Sequence, residues 1–404
     1  MGMEQLFATR MERVRASEIR ELLKLLDQPD ILSFAGGIPD PALFPAADFE
    51  AAYSSVLRGA ASGAALQYSV SEGYLPLRQW LAGHMASIGI ACSAENILIT
   101  SGSQQALDYL GKLFLSPGDT ALVGWPTYLG ALQAFNAYEP NYDRLDVMAN
   151  RDSADIANTA VENGGKVKFA YLSADFANPT GETLDLAGRN RLLDLAEALD
   201  IAVIEDGAYH ALRYGGEPVP PILSLELERN GGNIDIARTI YCGSFSKTLS
   251  PGLRVGWVVA SSNVIRKLVL MKQAADLHSA TINQMAIHEV ARNGFDAQVA
   301  KIRAAYGARR DAMLAALSKH MPSGVSWTRP EGGMFVWVTL PQAMDGASLL
   351  AKSLESERVA FVPGQAFFAD GTGANMIRLS FSCADEAKIN EGMMRLGRLI
   401  RKQA

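Results

Sequence analysis

The stretch Tyr241–Trp257, "YCGSFSKTLSPGLRVGW", sets one lysine, Lys247, between a serine-bearing turn and an arginine, Arg254. A short strand-like lead, Arg238 to Tyr241, enters it, and an apolar run, Val255 to Ala260, leaves it. The polar residues therefore fall on a connection between two strands. Hydroxyls from Ser244 and Ser246 beside a guanidinium suit a phosphate. A lysine held next to them, between apolar strands, is an amine whose neutral, nucleophilic form is favoured by positive neighbours and partial desolvation. Taken alone, Lys247 reads equally well as a solvated loop lysine and Arg254 as half of a surface ion pair.

Upstream, short apolar strands alternate with helical patterns. "NILIT" (96–100) precedes "SQQALDYLGKLFL", "TALVGW" (120–125) precedes "YLGALQAF", and "KFAYLS" (168–173) precedes "LAGRNRLLDLAEALD" and then "IAVIED" (201–206). This alternation predicts an α/β fold with a mostly parallel sheet covered by helices. A long helical stretch follows over about 263–292. From about Ala297 the texture changes: the helix "IRAAYGARRDAMLAALSKHM" leads to the short strands "MFVWVTL", "VAFVPG" and "MIRLSF", which predict a smaller α+β domain. The chain divides into an N-terminal arm (1–15), a segment joining the small domain and the mouth of the site (16–50), a large domain (51–295) and a small C-terminal domain (296–404).

Bulk properties exclude several functions. The formal net charge of −6 argues against a nucleic-acid binder, which needs a basic face. Three scattered cysteines make neither a disulfide framework nor a zinc pattern, so the expected compartment is a reducing cytoplasm. No apolar run approaches the 18 or so residues of a membrane span. The P-loop pattern and GxGxxG are both absent, and "HEVAR" is not a zinc motif, so no metal is expected.

Other polar residues stand at predicted strand ends, where open α/β sheets bind ligands. Ser101-Gly102-Ser103 joins a strand to a helix, whose N-terminus suits an anion; it also fits an ordinary serine cap. Asn178 sits in "NPTG" and could simply make a turn. Asp206 ends "IAVIED" with Tyr209 three residues on, and could merely cap a helix. Tyr128 follows another strand and could merely pack. As a set, a lysine amine, an acid, an aromatic face, an asparagine and a phosphate cradle match the needs of pyridoxal phosphate.

The order of these segments resembles the fold-type I, class I/II aminotransferases, closest to the branch of 2-aminoadipate aminotransferase and kynurenine aminotransferase II. The resemblance rests on "SFAGGIPDPALFP", "LQYSVSEGYLPLR", "TSGSQQALD", "NPTG", "EDGAYHAL", "GSFSKTLSPGLRVGW", "RPEGGMFVW", "FVPGQAFF" and "IRLSF", and covers nearly the whole chain. It implies the fold of the pyridoxal phosphate-dependent transferases, with a mostly parallel seven-stranded sheet in the large domain and a smaller α+β domain. It implies a catalytic Lys247 that forms the Schiff base, Asp206 on the pyridine nitrogen, and Tyr209 with Asn178 on the ring oxygen. Tyr128 and Ala208 would face the ring, while Ser101, Gly102, Ser103, Gln104, Ser244, Ser246 and Arg254 would form the phosphate cradle. Tyr68 would reach the phosphate of a partner subunit in a homodimer with shared sites. Arg378 and Asn178 would hold the substrate α-carboxylate, with Gly37 close by. Trp257, Phe335 and Trp337 are expected in the core.

The resemblance further implies ping-pong transfer between amino acids and 2-oxo acids such as 2-oxoglutarate. A β-lyase or decarboxylase would use the same site. An aminotransferase-like regulator would need a DNA-binding domain for which the roughly 30 residues before "LSFAGG" are too short. In "SEIRELLKLL", Arg20 borders the apolar stripe Ile19, Leu22, Leu23 and Leu26, and is either a solvated charge or, as the resemblance implies, the contact for an acidic donor side chain. That predicts acceptance of both acidic and apolar or aromatic donors. Ala177 and Trp125 depart from the family pattern and are expected to reshape the substrate pocket.

Overall fold

The computed structural model describes residues 2–14, 30–147 and 151–403. Its strands are β1 (Leu32–Ser33), β2 (Ile97–Thr100), β3 (Thr120–Val123), β4 (Asn141–Arg144), β5 (Val167–Leu172), β6 (Ala202–Asp206), β7 (Thr239–Ser244), β8 (Gly256–Val259), β9 (Ser326–Trp327), β10 (Phe335–Thr339), β11 (Val359–Ala360), β12 (Val362–Pro363) and β13 (Met376–Ser380). Seven of them make the main sheet, in the order β2-β8-β7-β6-β5-β3-β4. Only β8 runs antiparallel to its neighbours. The mostly parallel seven-stranded α/β arrangement is thus present.

Both faces of the inner strands of this sheet are covered, which is why they read as mostly apolar runs. Alternate residues serve opposite faces. Ala121, Val123, Phe169, Tyr171 and Ile204 pack with Leu107, Leu110 and Phe135 on one side. Leu122, Ala170 and Val203 pack with Leu192 and Ile222 on the other. The edge strand β4, "NYDR", is not fully buried and has no apolar pattern, so the sequence did not reveal it.

The smaller sheet, β12-β13-β10-β9, is antiparallel. Its core joins Val336, Val338, Ile377 and Leu379 to Phe34 from the N-terminal segment and to Phe176, Tyr209 and Leu212 from the larger sheet's loops. One helical expectation needs correction. The stretch read as a helix over about 263–292 is two helices, Ser262–Ala275 and Thr281–His320. The break falls between them, where Leu277 has φ 66°. Apolar periodicity continues on both sides, so the pattern alone did not mark it. The second helix runs on past Ala297 and is interrupted only by non-helical geometry at Gly294.

Candidate active site

The connections leaving the carboxyl ends of β2, β3, β5, β6 and β7 converge on one cavity of about 530 Å³. Ser244, the last residue of β7, starts a tight turn over Phe245–Lys247, and its Oγ accepts the Ser246 N–H at 3.1 Å. That turn aims Lys247 inward, where its Nζ donates to the Gly37 carbonyl at 3.1 Å. The Tyr209 ring centroid lies 5.8 Å from the same Nζ. Burial, helped by the charges of Arg378 and Arg254, pushes the Lys247 ammonium down to about 8. The amine is therefore far easier to deprotonate than an ordinary lysine.

Asp206 ends β6 and is 4% exposed. Its Oδ2 accepts from the Tyr171 hydroxyl at 2.9 Å and its Oδ1 from the Ala208 N–H at 3.2 Å. Burial raises its pKa, while those two bonds and Lys247 oppose the rise. The carboxylate is thus held rigidly in a place that rewards a positive partner. Tyr171 was missed in sequence; it is a phenol within an apolar strand, and nothing local marks its direction.

At the opposite wall the helix Ser103–Phe114 begins. Its N-cap is Gly102, with no side-chain cap bond, so the simple serine-cap reading fails. Ser103 lines the cavity with Ser244, Ser246 and Arg254. Gly102 has φ 78°, and a Cβ there would stand 2.3 Å from the Arg254 Nη2. Ser101 and Gly102 are not among the residues lining the cavity; they stand behind the wall that Ser103 and Arg254 form. Gln104 spends its amide on the Gly130 carbonyl at 2.6 Å. Gly130 is needed where the Tyr128 ring folds over it, since a Cβ would meet Tyr128 Cζ at 2.4 Å.

Arg378, on β13, is 2% exposed. Its Nη1 donates to Asn178 Oδ1 and its Nη2 to the Ala35 carbonyl, each at 2.8 Å, while its Nε is buried without a partner. The guanidinium lies 4.3 Å from the Phe335 centroid and 5.0 Å from that of Phe367. Burial lowers its pKa to about 10. Gly37 fits beside it because a Cβ would already be 3.0 Å from Phe335 Cζ.

The structure thus gathers Lys247, Asp206, Tyr209, Asn178, Tyr128, Ala208, Ser103, Gln104, Ser244, Ser246, Arg254, Arg378 and Gly37 around one cavity. Tyr68 is not among them: it is 78% exposed, with His278 edge-on at 6.0 Å. Arg20 and its apolar neighbours lie outside the described residues. Trp125 and Ala177 line an adjoining cavity of about 630 Å³ that shares Tyr128, Ser173 and Asn178 with the first. Ile38, Leu129, Gly130, Gln133, Ser173, Pro251 and Phe367 complete the wall and were not singled out as site residues from sequence. Ile38 and Phe367 lie inside quoted motifs, whereas Leu129 and Gln133 share one face of the helix Leu129–Asn136, a pattern that also fits plain packing. Among the described residues no helix is long and apolar enough to cross a membrane, and no group of three or more potential metal ligands occurs.

With this geometry in hand, the sequence matches the family described as aminotransferase class I and II over residues 37–396. It is 45% identical over 390 residues to a 2-aminoadipate transaminase of Thermus thermophilus, covering 96% of this chain and 95% of that one. It is 43% identical over 406 residues to aromatic-amino-acid aminotransferase 1 of Thermococcus litoralis, covering 99% and 95%. Among solved structures it is similar to an alpha-aminoadipate aminotransferase, also of Thermus thermophilus, complexed with N-(5'-phosphopyridoxyl)-L-leucine. That likeness has a TM-score of 0.87 and 41% identity, covering 100% of this chain and 99% of that one.

Proposed function

The chain belongs to the class I and II aminotransferases, and on that premise we propose that it transfers the amino group of an L-amino acid to a 2-oxo acid with pyridoxal 5'-phosphate as cofactor. The observation that carries this reading is the meeting of Lys247, Asp206, Arg254 and Arg378 on one cavity. The donor set fits the cofactor. Three serines, Arg254 and a helix N-terminus suit a phosphate, the buried Asp206 suits a protonated ring nitrogen, and Lys247 suits a covalent anchor. When bound, pyridoxal phosphate supplies an aldehyde and an electron-accepting ring.

The protein's own groups do the rest. Arg378, with an unpaired buried Nε, takes the substrate α-carboxylate, and Asn178 fixes the fork through Nη1. With the cofactor bound, Tyr128 and Ala208 would confine its ring and Tyr209 with Asn178 would hold its oxygen. Lys247 removes the Cα proton and redelivers it from Nζ, a task suited to an amine titrating near pH 8. With pyridoxal phosphate bound to carry the nitrogen and water to supply the carbonyl oxygen, the donor would leave as its 2-oxo acid and a second 2-oxo acid would leave as an amino acid.

The described side-chain wall of Ile38, Leu129, Gln133 and Phe367 supports apolar or aromatic donors. Arg20 adds the acidic ones. A second copy of the chain covers Leu66, Tyr68 and Val70, all more than half exposed, and receives Tyr68. The interruption at Gly294 supports a boundary between the large and small domains at 295/296.

The test is a half-reaction screen. Single L-amino acids are added to cofactor-loaded protein, and the cofactor's visible absorbance is followed. Glutamate or 2-aminoadipate, and also leucine or an aromatic amino acid, should shift it, and 2-oxoglutarate should restore it. A loaded protein that answers no amino acid would end the reading. In the same assay Arg20→Ala should lower kcat/KM for the acidic donors by about 10- to 150-fold, the worth of one charge-assisted pair, and leave leucine nearly unchanged.

A further inference from the structure

Behind the turn that carries Ser103, the protein buries a charge that the proposed chemistry does not use. Lys272, near the end of the helix Ser262–Ala275, has a fully buried side chain. Its Nζ donates to both Asp276 carboxylate oxygens at 3.0 Å, to Ser279 Oγ at 2.9 Å and to Gln105 Oε1 at 2.9 Å. Burial works against the Asp276 carboxylate, yet the bonds from Gln105, Lys272 and Ser101 hold its pKa below the usual range. The pair is ionic and its donors are satisfied.

Several branches of this network lead to one turn. Gln105 Oε1 also accepts the Ser101 N–H at 2.9 Å, and Gln105 Nε2 donates to Asp276 Oδ2 at 2.8 Å. Ser101 Oγ donates to Asp276 Oδ2 at 3.3 Å and lies 3.2 Å from Ser279 Oγ. On its other side the Ser101 carbonyl accepts from Arg254 Nη2 at 3.2 Å. An unbroken path runs from Lys272 through Gln105 and Ser101 to the arginine of the cradle.

Lys272 is buried while its partner Asp276 stays open to solvent, and a buried ammonium is a poor way to fill space, because apolar residues of similar volume usually pack as stably. What it adds is direction: fixed hydrogen bonds converging on one piece of backbone. We propose that Lys272 is a positioning residue, which with Asp276 and Gln105 locks the Ser101–Ser103 turn so that Arg254 and the following helix N-terminus converge on the cofactor's phosphate. This rests on the pyridoxal phosphate reading.

The test compares pyridoxal 5'-phosphate with pyridoxal, which lacks the phosphate, on cofactor-stripped full-length protein, with inorganic phosphate as a competitor. The double variant Lys272→Met/Asp276→Leu removes the network without leaving a lone buried charge. Gln105→Leu keeps the Lys272–Asp276 pair and the Ser101 Oγ–Asp276 bond but removes the Gln105 bridge to the Ser101 N–H, so it decides the matter if the double variant does not fold. Each should bind pyridoxal phosphate about 10- to 100-fold more weakly, the loss of one or two well-aimed charge-assisted bonds, and bind pyridoxal within about twofold of the parent. Inorganic phosphate should compete less well, and the Gln105→Leu melting temperature should stay near that of the parent. Equal losses for the two cofactors, or no loss for either, would overturn the proposal. A parent protein that shows no preference for the phosphorylated cofactor would instead sink the cofactor reading beneath it.

Discussion

The two arginines of the site sit in opposite physical settings. Arg254 is exposed, on a connection between adjacent strands, and it is braced by carbonyls of Ser101 and Pro251 from nearby loops. Arg378 is 2% exposed and is held by groups from distant parts of the chain, Ala35 and Asn178, against Phe335 and Phe367. A charge in water gains little from a new partner, because solvent already satisfies it. A buried, incompletely paired guanidinium gains much more. On the proposed function, the phosphate end would thus be a cradle assembled from several modest donors, whereas the carboxylate end would depend on one desolvated fork.

The strongest way to break this picture is at the residue between the two ends. Lys247→Ala should lower kcat by about 10⁴-fold or more, since it removes both the anchor and the proton-transfer group. It should also abolish the borohydride-reducible bond between protein and cofactor; a variant that keeps that bond would unseat Lys247.

The comparison itself is sharpened by making the same substitution twice. Arg378→Lys should raise the amino-acid KM by about 10- to 150-fold, because an ammonium cannot reproduce the fork. Arg254→Lys should leave that KM within a few-fold and weaken cofactor retention instead. Equal effects on both constants would erase the distinction drawn here.

The pH dependence follows from the lowered pKa of Lys247. Only the neutral amine attacks an aldehyde, so cofactor attachment to stripped protein should speed up about tenfold per pH unit below 8 and level off above it. Folding carries the matching sign. Between about 8 and the ordinary lysine value near 10.5, the unfolded chain holds more protons at this group, so its contribution to stability rises with pH across that window. An attachment rate that keeps climbing past pH 10 would show that the amine is not desolvated.

The smallest expected effect tests the surface rather than the cavity. Tyr68→Phe should weaken cofactor retention by about 1 kcal/mol, near fivefold, in a dimer that shares its sites. A monomer at low concentration that retains cofactor and full activity would remove Tyr68 from any site.

The main sheet was legible in the sequence because its inner strands are largely buried on both faces and are mostly apolar. The proposed cradle could be read from the sequence because its parts, Ser101 to Gln104 and Ser244 to Arg254, are short local motifs on either side of strands; of these, Ser103, Gln104, Ser244, Ser246 and Arg254 line the cavity. The polar edge strand β4 was not, since an edge residue need bury nothing. Arg378 could be singled out only by resemblance. Its sequence environment, "MIRLSF", is that of any strand, and its burial exists only once Ala35, Asn178, Phe335 and Phe367 close around it. The phenol of Tyr171 beneath Asp206 and the Lys272 network behind Ser101 were silent for the same reason. Local pattern records which face of an element is apolar. Which polar atom meets which across tens or hundreds of residues is decided by how the elements pack.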